Sequence, residues 1–89
     1  MKKAEGYILR QVADEYVLVP CGEKAEEVNE IVTLSETAGF IYEHAEEVRD
    51  AEEMVRLVGK EYQVNEDIVR TDVTEVLQHM IKKGYLALE

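Results

Sequence analysis

The 89-residue chain reads as one small α+β domain, a three-stranded antiparallel sheet followed by three helices. Three observations carry that reading. Apolar residues alternate with a period of two through the first third of the chain, the period changes to three or four from Ser35 onward, and helix-start residues recur at Ser35, Asp50 and Asn65. A run of strands followed by a run of helices distinguishes α+β from the alternating order of α/β chains.

The first strand lies in "GYILRQV", where Tyr7 and Leu9 share one face and Ile8, Arg10 and Val12 the other. "EYVLVP" follows across the short polar link Ala13-Asp14-Glu15, so strands near 6–12 and 15–20 should form a hairpin. Pro20 has no N–H to donate to a ladder and ends it. Cys21-Gly22 and the acidic "EKAEEVNE" make one substantial loop, although its composition also tolerates a helical turn. A third strand is expected over roughly Val28 to Leu34.

From Ser35, the residues Leu34, Ala38, Ile41, Ala45 and Val48 recur at helical spacing, with Ser35 as N-cap and Glu36 favoured by the helix dipole. The second helix begins at Asp50, where "DAEE" is a variant of the capping box, and should bury Met54, Leu57, Val58 and Tyr62. Gly59 within it costs about 1 kcal/mol relative to Ala, so it either permits a close approach or marks an early end. The third helix starts at Asn65, carries Glu66 and Asp67 in its first turn, and finishes at Lys82-Lys83 before Gly84. Its apolar stripe of Ile68, Val69, Val73, Val76, Leu77, Met80 and Ile81 is wider than contact with one neighbour needs. "YLALE" closes the chain as an extended tail.

Composition narrows the function. A 46% hydrophobic content with one Pro and five Gly suits a folded chain, and 89 residues suit one domain, 1–89, without room for a deep substrate cavity and a lid. Cys21 is the sole cysteine, so no intrachain disulfide is possible and a reducing, cytoplasmic setting fits. No window approaches 18 apolar residues, which argues against a membrane span. Twenty acids against ten bases give a formal net charge of −10, which disfavours nucleic-acid phosphates. The third helix sets Glu66, Asp67, Asp72 and Glu75 against Arg70, Lys82 and Lys83, a poor phosphate-facing surface for a winged-helix DNA binder.

No catalytic residue, metal site or cofactor is expected. His44 and His79 lie on different helices without metal-ligand spacing, Cys21 reads as a small buried hydrophobe, and paired acids such as Glu46-Glu47 read as solvated faces. No phosphate loop or nucleophile elbow is present.

A three-stranded sheet always has two edges, and edges must be covered, blunted or used. The third strand carries no Pro and only Glu30 as a charge, so little blunts it. The direct joint from Ile31-Val32-Thr33 into the helix start at Leu34-Ser35 would hold that edge beside helical packing, with backbone N–H and C=O groups along one wall of a groove.

Taken together, "YILRQVADEYVLVP", "IVTLSETAGFIYEHA" and "VGKEYQVNEDIVRTDVTEVLQHMIKKGYL" resemble the PqqD family of peptide chaperones, over about Gly6 to Leu86. The most specific part is the run from Val32 to Thr37. The chain departs from the family pattern at Ser35, where Asn is common, and at Tyr42, where Trp is common.

The resemblance implies a winged-helix-like domain that does no chemistry. It binds the leader of a ribosomally synthesised precursor peptide and presents it to a modifying enzyme, often a radical S-adenosylmethionine (radical SAM) protein. The leader is implied to lie as an extra strand along the third strand, in a cleft against the third helix. Strand addition would use the backbone of Asn29, Glu30, Ile31, Val32 and Thr33, with pockets from Val69, Val73 and Val76 and a polar rim contact at Asp72. Helical period alone leaves ordinary core open as the role of those valines. The other readings are a scaffold that binds only an enzyme and a DNA-binding regulator. An open edge also permits a monomer or an edge-paired or swapped dimer.

Overall fold

The computed structural model describes residues 1–28 and 30–88. Chain order is β1 (Lys2–Lys3), β2 (Tyr7–Val12), β3 (Glu15–Pro20), α1 (Glu23–Glu27), β4 (Val32–Leu34), α2 (Glu36–Glu43), a 3-10 turn (Ala45–Glu47), α3 (Ala51–Tyr62), α4 (Glu66–Lys82) and β5 (Leu86–Ala87). The expected hairpin and third strand form one antiparallel sheet in the order β2-β3-β4. The winged α+β architecture expected from the sequence is therefore present, with three additions.

The first addition is α1, the helical turn that the acidic loop tolerates. The second is a separate ladder in which β1 pairs with β5, Lys2 opposite Ala87 and Lys3 opposite Leu86, so the expected C-terminal tail is a strand. The third is a break in the first expected helix, since α2 ends at Glu43 and a 3-10 turn continues the chain.

The third strand is shorter than expected. Pairing begins at Val32 opposite Leu18 and ends at Leu34 opposite Tyr16. Continuing that register would set Glu30 against Pro20, which has no N–H, and α1 has already used the residues to Glu27. Val28, Glu30 and Ile31 thus lie outside the ladder, and Asn29 lies outside the described residues.

Alternation places the cross-strand rows Tyr7–Pro20, Leu9–Leu18–Val32 and Gln11–Tyr16–Leu34 on one sheet face. The helices cover that face. Leu18 meets Ile41, Met54, Val55, Val58, Val73 and Met80 in a core whose members are all fully buried. Gly39 allows the closest approach: a Cβ there would lie 2.4–2.8 Å from the Tyr16 ring atoms Cγ, Cδ1 and Cδ2, so α2 sits directly on β3. Gly59 does not end α3 early; it lets the chain turn back tightly, with the Val64 carbonyl 3.0 Å from where a Cβ would be.

All three expected caps are made. The Ser35 hydroxyl accepts from Ala38 N–H at 3.1 Å, Asp50 Oδ1 from Glu53 N–H at 2.9 Å, and Asn65 Oδ1 from Asp67 N–H at 2.8 Å. Glu53 reaches back to Arg49 N–H at 2.6 Å, one residue before the cap, so the capping box is a register-shifted one. Ser and Asn are comparable N-caps, which makes the departure at Ser35 physically conservative.

Candidate functional site

β4 has β3 on one side and no strand on the other among the described residues. In an antiparallel strand every second residue turns its N–H and C=O away from its partner, so this edge offers unpaired main-chain groups. Val32 is half-buried against the core, Leu34 is buried, and Thr33 and Ile31 are exposed. The edge is anchored from beneath and accessible from the side.

The chain leading into β4 faces the C-terminal end of α4. Between them lies an open cleft of about 370 Å³ lined by Tyr7, Glu27, Val28, Glu30, Lys83 and Tyr85. Tyr7 and Tyr85 meet edge to face at 5.2 Å between ring centroids and form an aromatic wall. Burial holds the Tyr85 hydroxyl above its ordinary pKa, with smaller contributions from Tyr7 and from the Glu30 carboxylate.

Lys83, which caps the C-terminal end of α4, lines this cleft. At about 100° per residue, Val69, Asp72, Val76 and Lys83 fall within an arc of about 60°. Arg70 lies on the opposite flank, where its guanidinium donates to Glu52 of α3 at 2.7 and 3.2 Å. Val69 and Val76 are half-buried against the core and Asp72 is exposed, so three of the four expected α4 residues have surface to offer, while none of them lines the cleft itself. Val73 is 0% exposed. It belongs to the hydrophobic core.

Of the expected backbone positions, Val32 and Thr33 lie in the β4 ladder, whereas Glu30 and Ile31 precede it. Tyr7, Val28, Lys83 and Tyr85 were not expected at the site. They come together from three chain segments, and no local pattern in the sequence announces that convergence.

The family model described as "Coenzyme PQQ synthesis protein D (PqqD)" matches residues 15–86. The chain belongs to the PqqD family. Among solved structures, this PqqD-family domain is similar to one titled "TbiB1 in Complex with the TbiA(beta) Leader Peptide". The identity is 24%, the TM-score 0.71, and the match covers 97% of this chain and 94% of that one. That likeness establishes a shared fold across almost the whole domain. No curated protein matches.

Elsewhere in the PqqD-family domain, the remaining polar residues serve local structure. His44 packs against the Phe40 ring and its Nδ1 is 2.5 Å from Glu47 Oε2. Cys21 is half-exposed, not buried, because α1 leaves its start open beside Gly6 and Gly22. Arg70 is engaged by Glu52 and Asp67, which leaves it poorly placed to meet a phosphate. Among the described residues no group of three or more His, Cys, Asp or Glu is placed to hold a metal, and no helix is long and apolar enough to cross a membrane.

Proposed function

We propose that this domain captures the leader segment of a ribosomally synthesised precursor peptide as an added strand on β4 and presents it, without doing chemistry itself, to a modifying enzyme such as a radical SAM protein in the cytoplasm. The observation that carries the proposal is an open β4 edge whose incoming segment lines a cleft with Tyr7, Lys83 and Tyr85, within a PqqD-family chain. The solved structure of similar fold is titled as a complex with a leader peptide, which supports the same reading.

Main-chain pairing along Val32 and Thr33 gives affinity that depends little on sequence, and alternate leader side chains gain selectivity from pockets. Val69 and Val76 supply apolar contact, Tyr7 and Tyr85 an aromatic wall, and Lys83 and Asp72 opposite charges at the rim. Val73 acts from below by holding the flank in place. Because an extended peptide loses conformational freedom on docking, a few well-filled pockets set the affinity.

Amide NMR during titration with the synthetic leader of the precursor encoded beside this gene tests the proposal. Shifts gathered on Val28, Glu30 to Leu34, Tyr85 and the Val69–Lys83 flank are expected. Proline scanning sharpens the test: of Val32→Pro and Thr33→Pro, the one whose N–H faces away from β3 should keep the fold and lose the peptide. A saturating titration that moves no resonance of the folded domain refutes leader capture and favours an enzyme-only scaffold.

A further inference from the structure

The sheet has a second face that no helix covers among the described residues. Alternation sets Ile8 opposite Val19, Arg10 opposite Val17 and Thr33, and Val12 opposite Glu15, all pointing away from the core. Ile8 is 42% and Val12 61% exposed, and Val17 and Val19 are half-buried without joining the core cluster. The molecule measures 41 × 32 × 18 Å, and its thin axis accommodates one sheet and one helical layer. Four aliphatic side chains therefore meet water side by side on a domain whose remaining surface is strongly acidic. Contiguous apolar patches of this kind mark interaction surfaces.

Two charges stand on this face, Glu15 beside Val12 at the turn and Arg10 in the middle of the patch. Arg10 makes no ion pair among the described residues, although the chain carries 20 acids. Its row runs from Arg10 through Val17 to Thr33, so the patch reaches the β4 edge itself. A strand added on β4 would continue the same sheet, and its outward side chains would extend the same face.

We propose that the outer face of the β2-β3 hairpin, centred on Ile8, Arg10, Val17 and Val19, is the docking surface for the modifying enzyme, through an apolar patch on that enzyme with a carboxylate opposite Arg10. This rests on the reading of the domain as a leader carrier. The face is continuous with the leader edge, so an enzyme seated there contacts carrier and leader together. A second copy of the chain is the weaker occupant: it would bring its own Arg10 and a further net charge of −10 to the same face.

The test uses the full chain, the purified modifying enzyme encoded in the same gene cluster, and a synthetic leader of its precursor. Calorimetric titration compares the wild type with Arg10→Glu and with the double variant Ile8→Ser, Val17→Thr. Arg10 is exposed and unpaired, so its variant should keep the wild-type melting temperature. Both variants are expected to bind the enzyme at least about tenfold more weakly, equivalent to about 1.4 kcal/mol, while their leader affinity stays within about twofold of the wild type. If the wild type ignores the leader yet binds the enzyme through Arg10, leader capture fails and the docking face stands. Enzyme affinities within about twofold of the wild type for both variants overturn the proposal. So does a wild type that binds no enzyme, or a self-associating dimer that Arg10→Glu dissociates.

Discussion

Replacing Gly39 with Ala should destabilise the domain even though Ala is the better helix former. In isolation the change in α2 favours the helix by about 1 kcal/mol. Against it stands the Tyr16 ring of β3, whose Cγ, Cδ2 and Cδ1 would lie 2.4, 2.6 and 2.8 Å from the new Cβ. Carbon atoms pack best at about 3.5–4.0 Å, so α2 must retreat by about 1 Å or Tyr16 must leave its rotamer. The three atoms belong to the root of a rigid ring, not to the end of a flexible chain. Overpacking of this kind costs about 1–3 kcal/mol, and contact with three ring atoms places it toward the upper end. The net loss is then about 1–2 kcal/mol, or a fall in Tm of roughly 5–15 °C for a domain of this size. Scanning calorimetry of Gly39→Ala measures it, and the Tyr16→Ser background provides the control. There the ring is gone and Gly39→Ala should raise Tm. A rise in the wild-type background would refute the close approach of α2 to β3 and the rigid support it gives the β4 edge.

Ala13 holds a positive φ of 56° in the two-residue hairpin turn, a region that costs L-residues about 1–2 kcal/mol; Ala13→Gly should therefore raise stability by up to about 1 kcal/mol in chemical denaturation. Val73→Ala, at a fully buried position, should cost about 2 kcal/mol and leave a folded domain with a lower urea midpoint and an unchanged slope. Val76→Ser, on the half-exposed flank, should cost less stability and instead weaken leader binding in the same titration used above; equal effects of the two on both readouts would contradict the division into core and groove. Burial, then the Glu46 carboxylate, raises the Tyr42 pKa above 10.0. The folded state thus holds the proton that the unfolded chain releases, so stability is complete below about pH 10 and declines as pH rises toward the folded value. In Tyr42→Phe that alkaline decline should be shallower, as urea midpoints between pH 9 and 11 would show.

The sequence made the hairpin and the three long helical segments legible because each has its own local signal. Tyr7 and Leu9 alternate against Ile8 and Arg10 over six residues, and Ser35, Asp50 and Asn65 are caps whose hydrogen bonds are local. Two-residue strands have no period to read, so the β1–β5 ladder was invisible, as was the shortening of β4 by the register partner Pro20. Of the proposed site, Val69 and Val76 could be named from the width of the α4 stripe and Asp72 only as a polar residue at its rim. Helical spacing could not separate them from Val73, because an arc of about 60° on a wheel says nothing of which neighbour lies beneath it. Tyr7, Lys83 and Tyr85 needed the tertiary fold, since only the β1–β5 ladder and the turn at Gly84 bring Tyr85 back to the hairpin.

That ladder also bears on how the domain can be built into larger proteins. With Lys3 opposite Leu86 and Lys2 opposite Ala87, the two end strands lie side by side, with Met1 buried beyond them and its amino group donating to the Val48 carbonyl. A host loop with a gap of one strand spacing, about 4.8 Å, matches the two end strands, provided the incoming chain replaces the contact that the Met1 amino group makes with Val48. Conversely, joining the two ends by a short linker and opening the chain at the exposed Ala13–Asp14 turn should yield a circular permutant with the same sheet order. The fold is thereby portable: a recognition unit that can be spliced into an enzyme's loop as readily as it can be appended to its terminus.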